Sequence, residues 1–291
     1  MSGVQLFFYV LFLGFGWNSP QLKQTKAECL DCHKQLVAEK VIHPVAEGCD
    51  NCHVANGKEH PQPKIIGFSL ADTVPNLCFT CHDELKTTIQ SSAVTHGAVR
   101  SKKSCTSCHS PHSSPNDKML LADGKDLCLS CHNKIITTDS IQIPNMKSLL
   151  DNSKVIHGAI DAGGCIACHN PHASNHQFLL KENFPQGIYA EGKTENYTLC
   201  FTCHDSQLLT EATTTSATQF RNADKNLHFV HLQGKKGRAC TVCHNVHGSA
   251  NMHLLNDATT FGNWQMPIRY KPVEGGGSCY PGCHGERAYK N

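Results

Sequence analysis

The sequence predicts a mostly irregular, elongated chain with short α-helices and little or no β-sheet, wrapped around something other than its own side chains. Three observations carry this. The 291 residues hold 18 cysteines and 20 histidines. Only 39% are hydrophobic, and these are too scattered to fill the core a chain of this length needs. Every cysteine falls in a close pair followed by histidine. An all-protein globular enzyme and a disulfide framework both fit this badly, because neither places histidine after every second cysteine.

Charge is nearly balanced, 26 Lys and Arg against 24 Asp and Glu. The one short basic cluster, Lys235, Lys236 and Arg238, reads as a solvated loop, so no nucleic-acid partner is expected.

Eight pairs have two intervening residues. They are Cys29/Cys32/His33, Cys49/Cys52/His53, Cys78/Cys81/His82, Cys105/Cys108/His109, Cys128/Cys131/His132, Cys165/Cys168/His169, Cys200/Cys203/His204 and Cys240/Cys243/His244. The ninth, Cys279/Cys283/His284, has three. C-x-x-C-H is the attachment motif of c-type haem. Two thiols add to the two vinyl groups of one porphyrin, and the adjoining imidazole reaches its iron. Zinc sites need two pairs per metal and no trailing histidine, and a thioredoxin-like motif would occur once. The expected cofactors are therefore nine covalently attached haem c groups, each with its iron, and together they form the core. Their propionates would turn a balanced polypeptide acidic.

Eleven histidines remain for nine distal positions, which predicts histidine on both faces of every iron and low potentials. His112, His172 and His247 each follow a motif histidine by three residues. His43, His96, His157 and His231 precede a cysteine pair by six to nine. His60 stands seven after His53, in place of a close histidine. One of His228, His176 or His253 supplies the ninth, and His228 is favoured.

The motifs repeat in twos. A single motif at 29–33 precedes four paired units at 43–82, 96–132, 157–204 and 231–284. Each unit reads as a lead histidine with Gly or Pro, a first pair, a close histidine, a gap and a second pair after leucine. Cys29 to His33 looks like a second half without its first. The arrangement resembles the doubled C-x-x-C-H family of multihaem cytochromes c. The resemblance spans residues 27 to 284 and rests on the paired motifs, on His96-Gly97-Ala98 and His157-Gly158-Ala159, and on Cys-His-x-Pro-His at His109 and His169. It implies haems stacked in parallel pairs joined by more perpendicular contacts. Unit one departs from the pattern at His60 and unit four at Cys279 to Cys283.

Residues 206–226 read as an exposed connection, and 254–278 as a coil around the last haem. Short helices are expected at most motifs. Residues 4–16 form an apolar run of signal-peptide length. The expected organisation is a signal peptide over 1–16, or a retained anchor, followed by a nonahaem domain over 17–291. The site would then be periplasmic or extracellular.

These readings predict an electron carrier of anaerobic or extracellular respiration, with no catalytic residue. Its partners would be other cytochromes, quinol-oxidising or outer-membrane conduit proteins, or extracellular acceptors, in a homo-oligomer or membrane-associated complex. The alternatives are a subunit of an extracellular cytochrome filament and a multihaem reductase of a nitrogen or sulfur oxyanion. The second needs an open iron face, and the sequence holds enough histidines to close all nine.

Overall fold

The computed structural model describes residues 26–61, 64–138 and 141–291. The expected leader lies outside them. No described helix is long and apolar enough to cross a membrane.

Local structure is built from the motifs outward. In the second halves of units one to three the first cysteines sit in α-helical turns, Asn76–Phe79, Gly124–Cys131 and Thr198–Phe201. In the first halves they sit in 3-10 turns, Cys49–Asn51, Ser104–Ser107, Cys165–Ala167 and Cys240–Val242. Leu77, Leu127 and Leu199 before the second pairs favour α-helix, whereas Gly48 and Gly164 before two of the first pairs disfavour it. Both versions close alike. The motif histidine donates its backbone N–H to the first cysteine's carbonyl, at 3.0 Å for His82, His109, His132 and His244. One turn therefore presents two sulfurs and an imidazole together.

Units are joined by two-residue antiparallel ladders. Val41–Ile42 pairs with Ser113–Ser114, Val94–Thr95 with Ala173–Ser174, and Val155–Ile156 with Gly248–Ser249. Each ladder links the residues before one unit's lead histidine to those after the next unit's close histidine.

Two segments differ from the sequence-based expectation. Residues 254–278 are not coil. Ala258–Phe261 pairs with Trp264–Pro267, and Tyr270–Val273, Gly276–Cys279 and Arg287–Lys290 form a three-stranded sheet. This also corrects the expectation of little or no β-sheet for the C-terminal end. Two-residue turns at Gly262-Asn263 and Glu274-Gly275 make it possible, with positive φ at Gly262 and Gly275. Residues 206–226 are not simply an exposed connection. They hold the helix Gln207–Thr210, a hairpin of Arg221–Asn222 with Lys225–Asn226, and the buried Leu209.

Packing matches the predicted shortage of core in the N-terminal half. There, apolar side chains such as Leu36, Val54 and Leu70 line a cavity of about 3060 Å³. The same cavity is lined by both cysteines of the first five motifs and by Cys165 of the sixth. The C-terminal half is packed differently. Cys168, Cys200, Cys203, Cys240, Cys243, Cys279 and Cys283 all lie outside this cavity. The reason is packing. Among the described residues the two buried apolar clusters, Ala190/Tyr197/Leu209/Leu232 and Ala239/Val242/Met266, lie here, with Phe201 and Cys240 against the first and Cys243 against the second.

The backbone carries a repeated departure from ordinary geometry. Lys118-Met119, Phe178-Leu179 and His253-Leu254 all have φ between 55° and 60°. Left-handed backbone costs non-glycine residues about 1–2 kcal/mol each, so three consecutive pairs imply a local purpose.

Candidate functional site

Among the described residues the histidine rings come together in nine pairs, each joining one motif histidine to one outside the motifs. Within units the lead ring faces the second-motif ring: His43 with His82 at 6.3 Å, His96 with His132 at 6.3 Å, His157 with His204 at 6.1 Å, and His231 with His284 at 6.4 Å. Between units the close ring reaches back to the preceding unit's first motif. His112 faces His53 at 6.1 Å, His172 faces His109 at 6.1 Å, and His247 faces His169 at 6.2 Å. His60 reaches back in the same way to His33, at 6.1 Å. The single N-terminal motif looks like a second half in sequence but is partnered like a first half. His244 of unit four instead faces His228, within its own unit's approach, at 6.3 Å.

Of the three rivals for the ninth place, only His228 faces a motif ring. His253 is exposed and its ring meets Tyr270 at 6.3 Å. His176 is partly buried, and its backbone N–H donates to Ser174 Oγ. The relay between units was not legible from offsets, because close and lead histidines have similar spacing to several motifs.

Backbone hydrogen bonds position the non-motif rings in twos. His43 N–H donates to the His112 carbonyl at 2.8 Å, His96 to His172 at 2.9 Å, and His157 to His247 at 3.1 Å. In unit four the short helix Leu227–Leu232 does this work, carrying His228 and His231 three residues apart on one face. Asn226 caps it, accepting from Phe229 N–H at 3.2 Å.

Ring orientation has its own devices. His109 Nδ1 donates to the Lys118 carbonyl, His169 Nδ1 to Phe178 and His244 Nδ1 to His253, each at 2.8 Å. A carbonyl only accepts, so Nδ1 holds the proton and Nε2 of the neutral ring keeps its lone pair. Among the other rings, His96 Nδ1 donates to the Pro171 carbonyl at 3.0 Å and His231 Nδ1 to Leu227 at 2.6 Å. Thr218 Oγ1 lies 3.0 Å from His228 Nδ1. Burial, then the neighbouring imidazoles, holds His228 and His247 down to about 4. Burial likewise lowers His43, His96, His112, His157 and His172. Neutral imidazole is the form that binds a metal.

The cysteines show which motifs are neighbours. The first cysteines of consecutive motifs act on each other electrostatically across the boundaries between paired units: Cys78 with Cys105, Cys128 with Cys165, and Cys200 with Cys240. Burial, then Cys105, pushes Cys78 up to about 11. Within units Cys52 acts on Cys78, Cys131 on Cys108, Cys200 and then Cys203 on Cys168, and Cys279 on Cys243. Motifs two to nine thus follow one another in space in chain order.

The two thiols of a motif are not equally enclosed, which equal sequence spacing did not suggest. Cys203 is exposed while Cys200 is half-buried, and the same holds for Cys32, Cys81, Cys131 and Cys283 against their first cysteines. In the first halves, Cys52, Cys108, Cys168 and Cys243 are half-buried. The Cys203 turn sits at the surface, where Thr202 Oγ1 donates to the Leu199 carbonyl at 2.7 Å and lies 3.8 Å from Cys203 Sγ. Thr80 and Ser130 repeat this beside Cys81 and Cys131. Cys203 therefore joins its site through the shared turn with Cys200 and His204 rather than through enclosure. Sequence reasoning also missed Tyr197. It is buried beside Cys200 and Cys240, and its hydroxyl has no partner among the described residues.

No curated protein matches the chain. The family profile of the doubled CXXCH motif matches it three times, at residues 43–87, 96–137 and 157–208. Each match begins on a lead histidine, His43, His96 or His157, and ends just past a second motif. With its thiols paired for covalent haem and its motifs in spatial sequence, the chain belongs to the doubled CXXCH motif family, the multihaem c-type cytochromes of electron transfer.

Proposed function

We propose that this protein carries electrons along nine covalently bound haems, each held between two histidines, with no catalytic centre. One observation carries the reading: nine rings outside the motifs face nine motif rings at 6.1–6.4 Å. A metal sits about 2.0 Å from an imidazole nitrogen, itself about 1.15 Å from its ring centre, so rings sharing one metal stand about 6.3 Å apart. The buried hydroxyl of Tyr197, without a partner among the described residues, also suits a bound group that accepts a hydrogen bond.

Bound haem supplies a one-electron iron couple at each centre. The chain's residues do the rest. The cysteines from Cys29 to Cys283 fix each porphyrin edge, and the exposed second thiols, Cys203 among them, put one corner of that edge at the surface. The imidazoles close both faces and leave small oxyanions no open coordination position. The clamps His43–His112, His96–His172 and His157–His247 hold neighbouring centres in twos. Thioether formation requires thiols kept from disulfides during export, which fits a periplasmic or extracellular location. Its partners are then redox proteins or extracellular acceptors.

Intact mass and electron paramagnetic resonance test this together. Nine haems and wholly low-spin ferric iron are expected. Fewer haems, or one high-spin centre in the unaltered protein, would overturn it.

A further inference from the structure

A thirteen-residue loop recurs three times, at 109–121, 169–181 and 244–256. Its side chains agree at few places. The motif histidine starts it, the close histidine follows after three residues, and then comes a buried serine: Ser114, Ser174 or Ser249. A leucine follows six residues after the serine: Leu120, Leu180 or Leu255.

The serine holds the loop shut from inside. Its Oγ donates to that leucine's carbonyl in all three copies. The same Oγ accepts the backbone N–H two residues on, from Asn116 at 3.0 Å, His176 at 2.9 Å or Asn251 at 3.0 Å. Between these anchors lie the left-handed pairs Lys118-Met119, Phe178-Leu179 and His253-Leu254. The first residue of each pair turns its carbonyl onto the motif histidine's Nδ1, at 2.8 Å in every copy. Lys, Phe and His share no side-chain chemistry, so it is the carbonyl that repeats. Unfavourable backbone kept three times at one register marks a functional constraint. Two second-motif rings differ: His132 Nδ1 is buried with no partner among the described residues, and His284 Nδ1 donates to the carbonyl of its own neighbour Gly285 at 2.6 Å, outside any such loop.

We propose that Ser114, Ser174 and Ser249 are positioning residues that, through the clamped carbonyl, lower the potentials of the centres at His109, His169 and His244. This rests on the reading of those histidines as iron ligands. An imidazole whose Nδ1–H is held by a carbonyl is more basic at Nε2 and favours ferric iron.

The test uses the full-length holoprotein with Ser174→Ala and Ser174→Thr. Redox titration followed site by site with paramagnetic NMR reads the potentials. In the alanine variant the centre at Cys165/Cys168 shifts toward the reduced form by up to tenfold, about 59 mV. The other eight hold, and threonine, which keeps the hydroxyl, restores the value. Nine haems with nine unchanged potentials overturn the proposal while leaving the carrier reading intact. A haem missing from the unaltered protein overturns the carrier reading instead. A second measurement needs no variant. With 15N-labelled histidine, the Nδ1 protons of His109, His169 and His244 exchange with deuterated water more slowly than those of His82 and His204. Equal exchange rates overturn the proposal.

Discussion

The backbone N–H of His43 donates to the carbonyl of His112 at 2.8 Å, yet the two rings face different partners, His82 and His53. Two residues 69 positions apart in sequence are thus joined main chain to main chain while serving two centres. The bond extends the ladder of Val41–Ile42 with Ser113–Ser114 by one rung. Since backbone bonds are insensitive to side-chain change, the spacing between the two centres is set by the fold and not by the imidazoles. The same contact recurs at His96 with His172 and at His157 with His247. Each unit is incomplete until the next has folded against it.

This relay makes a prediction that the offsets alone would get wrong. His172 lies in unit three, three residues after His169, but its ring faces His109 of unit two. His172→Met should raise the potential of the centre at Cys105/Cys108, because thioether favours ferrous iron relative to imidazole. The centre at Cys165/Cys168 should hardly move. Site-resolved redox titration separates them, and a shift at Cys165/Cys168 would refute the pairing between units.

The C-terminal unit closes differently, and that can be tested by deletion of side chains. His228→Ala should leave the centre at His244 with one open face, seen as one high-spin ferric signal and new carbon monoxide binding. His176→Ala and His253→Ala should leave every centre low-spin, because neither ring faces a motif ring. High-spin iron in either of those two variants would show that the ninth ligand had been misassigned.

Much of this was legible in the sequence, for a chemical reason. Covalent attachment demands two thiols and an imidazole at fixed spacing, so all nine motifs announce themselves locally. Their enclosure does not: Cys203 and Cys168 occupy the same place in their motifs, yet one is exposed and the other half-buried. That difference comes from the turn type and from what packs outside it. The histidines whose rings face the motif rings were partly legible, because their surplus and their offsets restrict the choice. Their partners were not. A ladder such as Val41–Ile42 with Ser113–Ser114 has two residues per strand, too few for any periodic signal. The C-terminal sheet was missed for another reason. Gly262-Asn263 between Ala258–Phe261 and Trp264–Pro267 is a hairpin signal, but Pro267, Pro272 and the glycines at 275 to 277 mask the strands around it. The Ser-to-Leu spacing of the recurring loop was present in plain sight, but its meaning depends on where a carbonyl points.

Stability can be probed at Asn226, which is fully buried. Its side-chain NH2 donates to the carbonyls of Gln207 at 3.0 Å and Glu211 at 2.8 Å, while its Oδ1 caps the helix bearing His228 and His231. Asn226→Ala removes the cap and leaves buried carbonyls unpaired, costing about 2–3 kcal/mol. Thermal unfolding of the holoprotein should begin at lower temperature. The spectra of the centres at His244 and His284 should broaden before those of units one to three. Uniform broadening of all centres would mean that this region is not the independent support of the last two.

Carrier and reductase are separated by what reaches the iron. Every motif ring, from His33 to His284, has a facing ring within 6.4 Å, so under the proposed two-histidine ligation a small molecule must displace an imidazole to bind. Burial keeps His228 and His247 neutral near neutral pH, the form that can bind metal. The reduced protein should therefore bind almost no carbon monoxide, and nitrite or hydroxylamine should turn over at background rates. Electron exchange with a second redox protein should stay fast, because it needs only an exposed porphyrin edge. If one centre in nine took up carbon monoxide and nitrite were steadily consumed, the open site should be sought first at His284, whose motif carries the extra residue. Next would come His33, whose partner His60 stands seven residues past its neighbouring motif rather than three. Either outcome would make this protein a reductase fed by eight carriers rather than a carrier throughout.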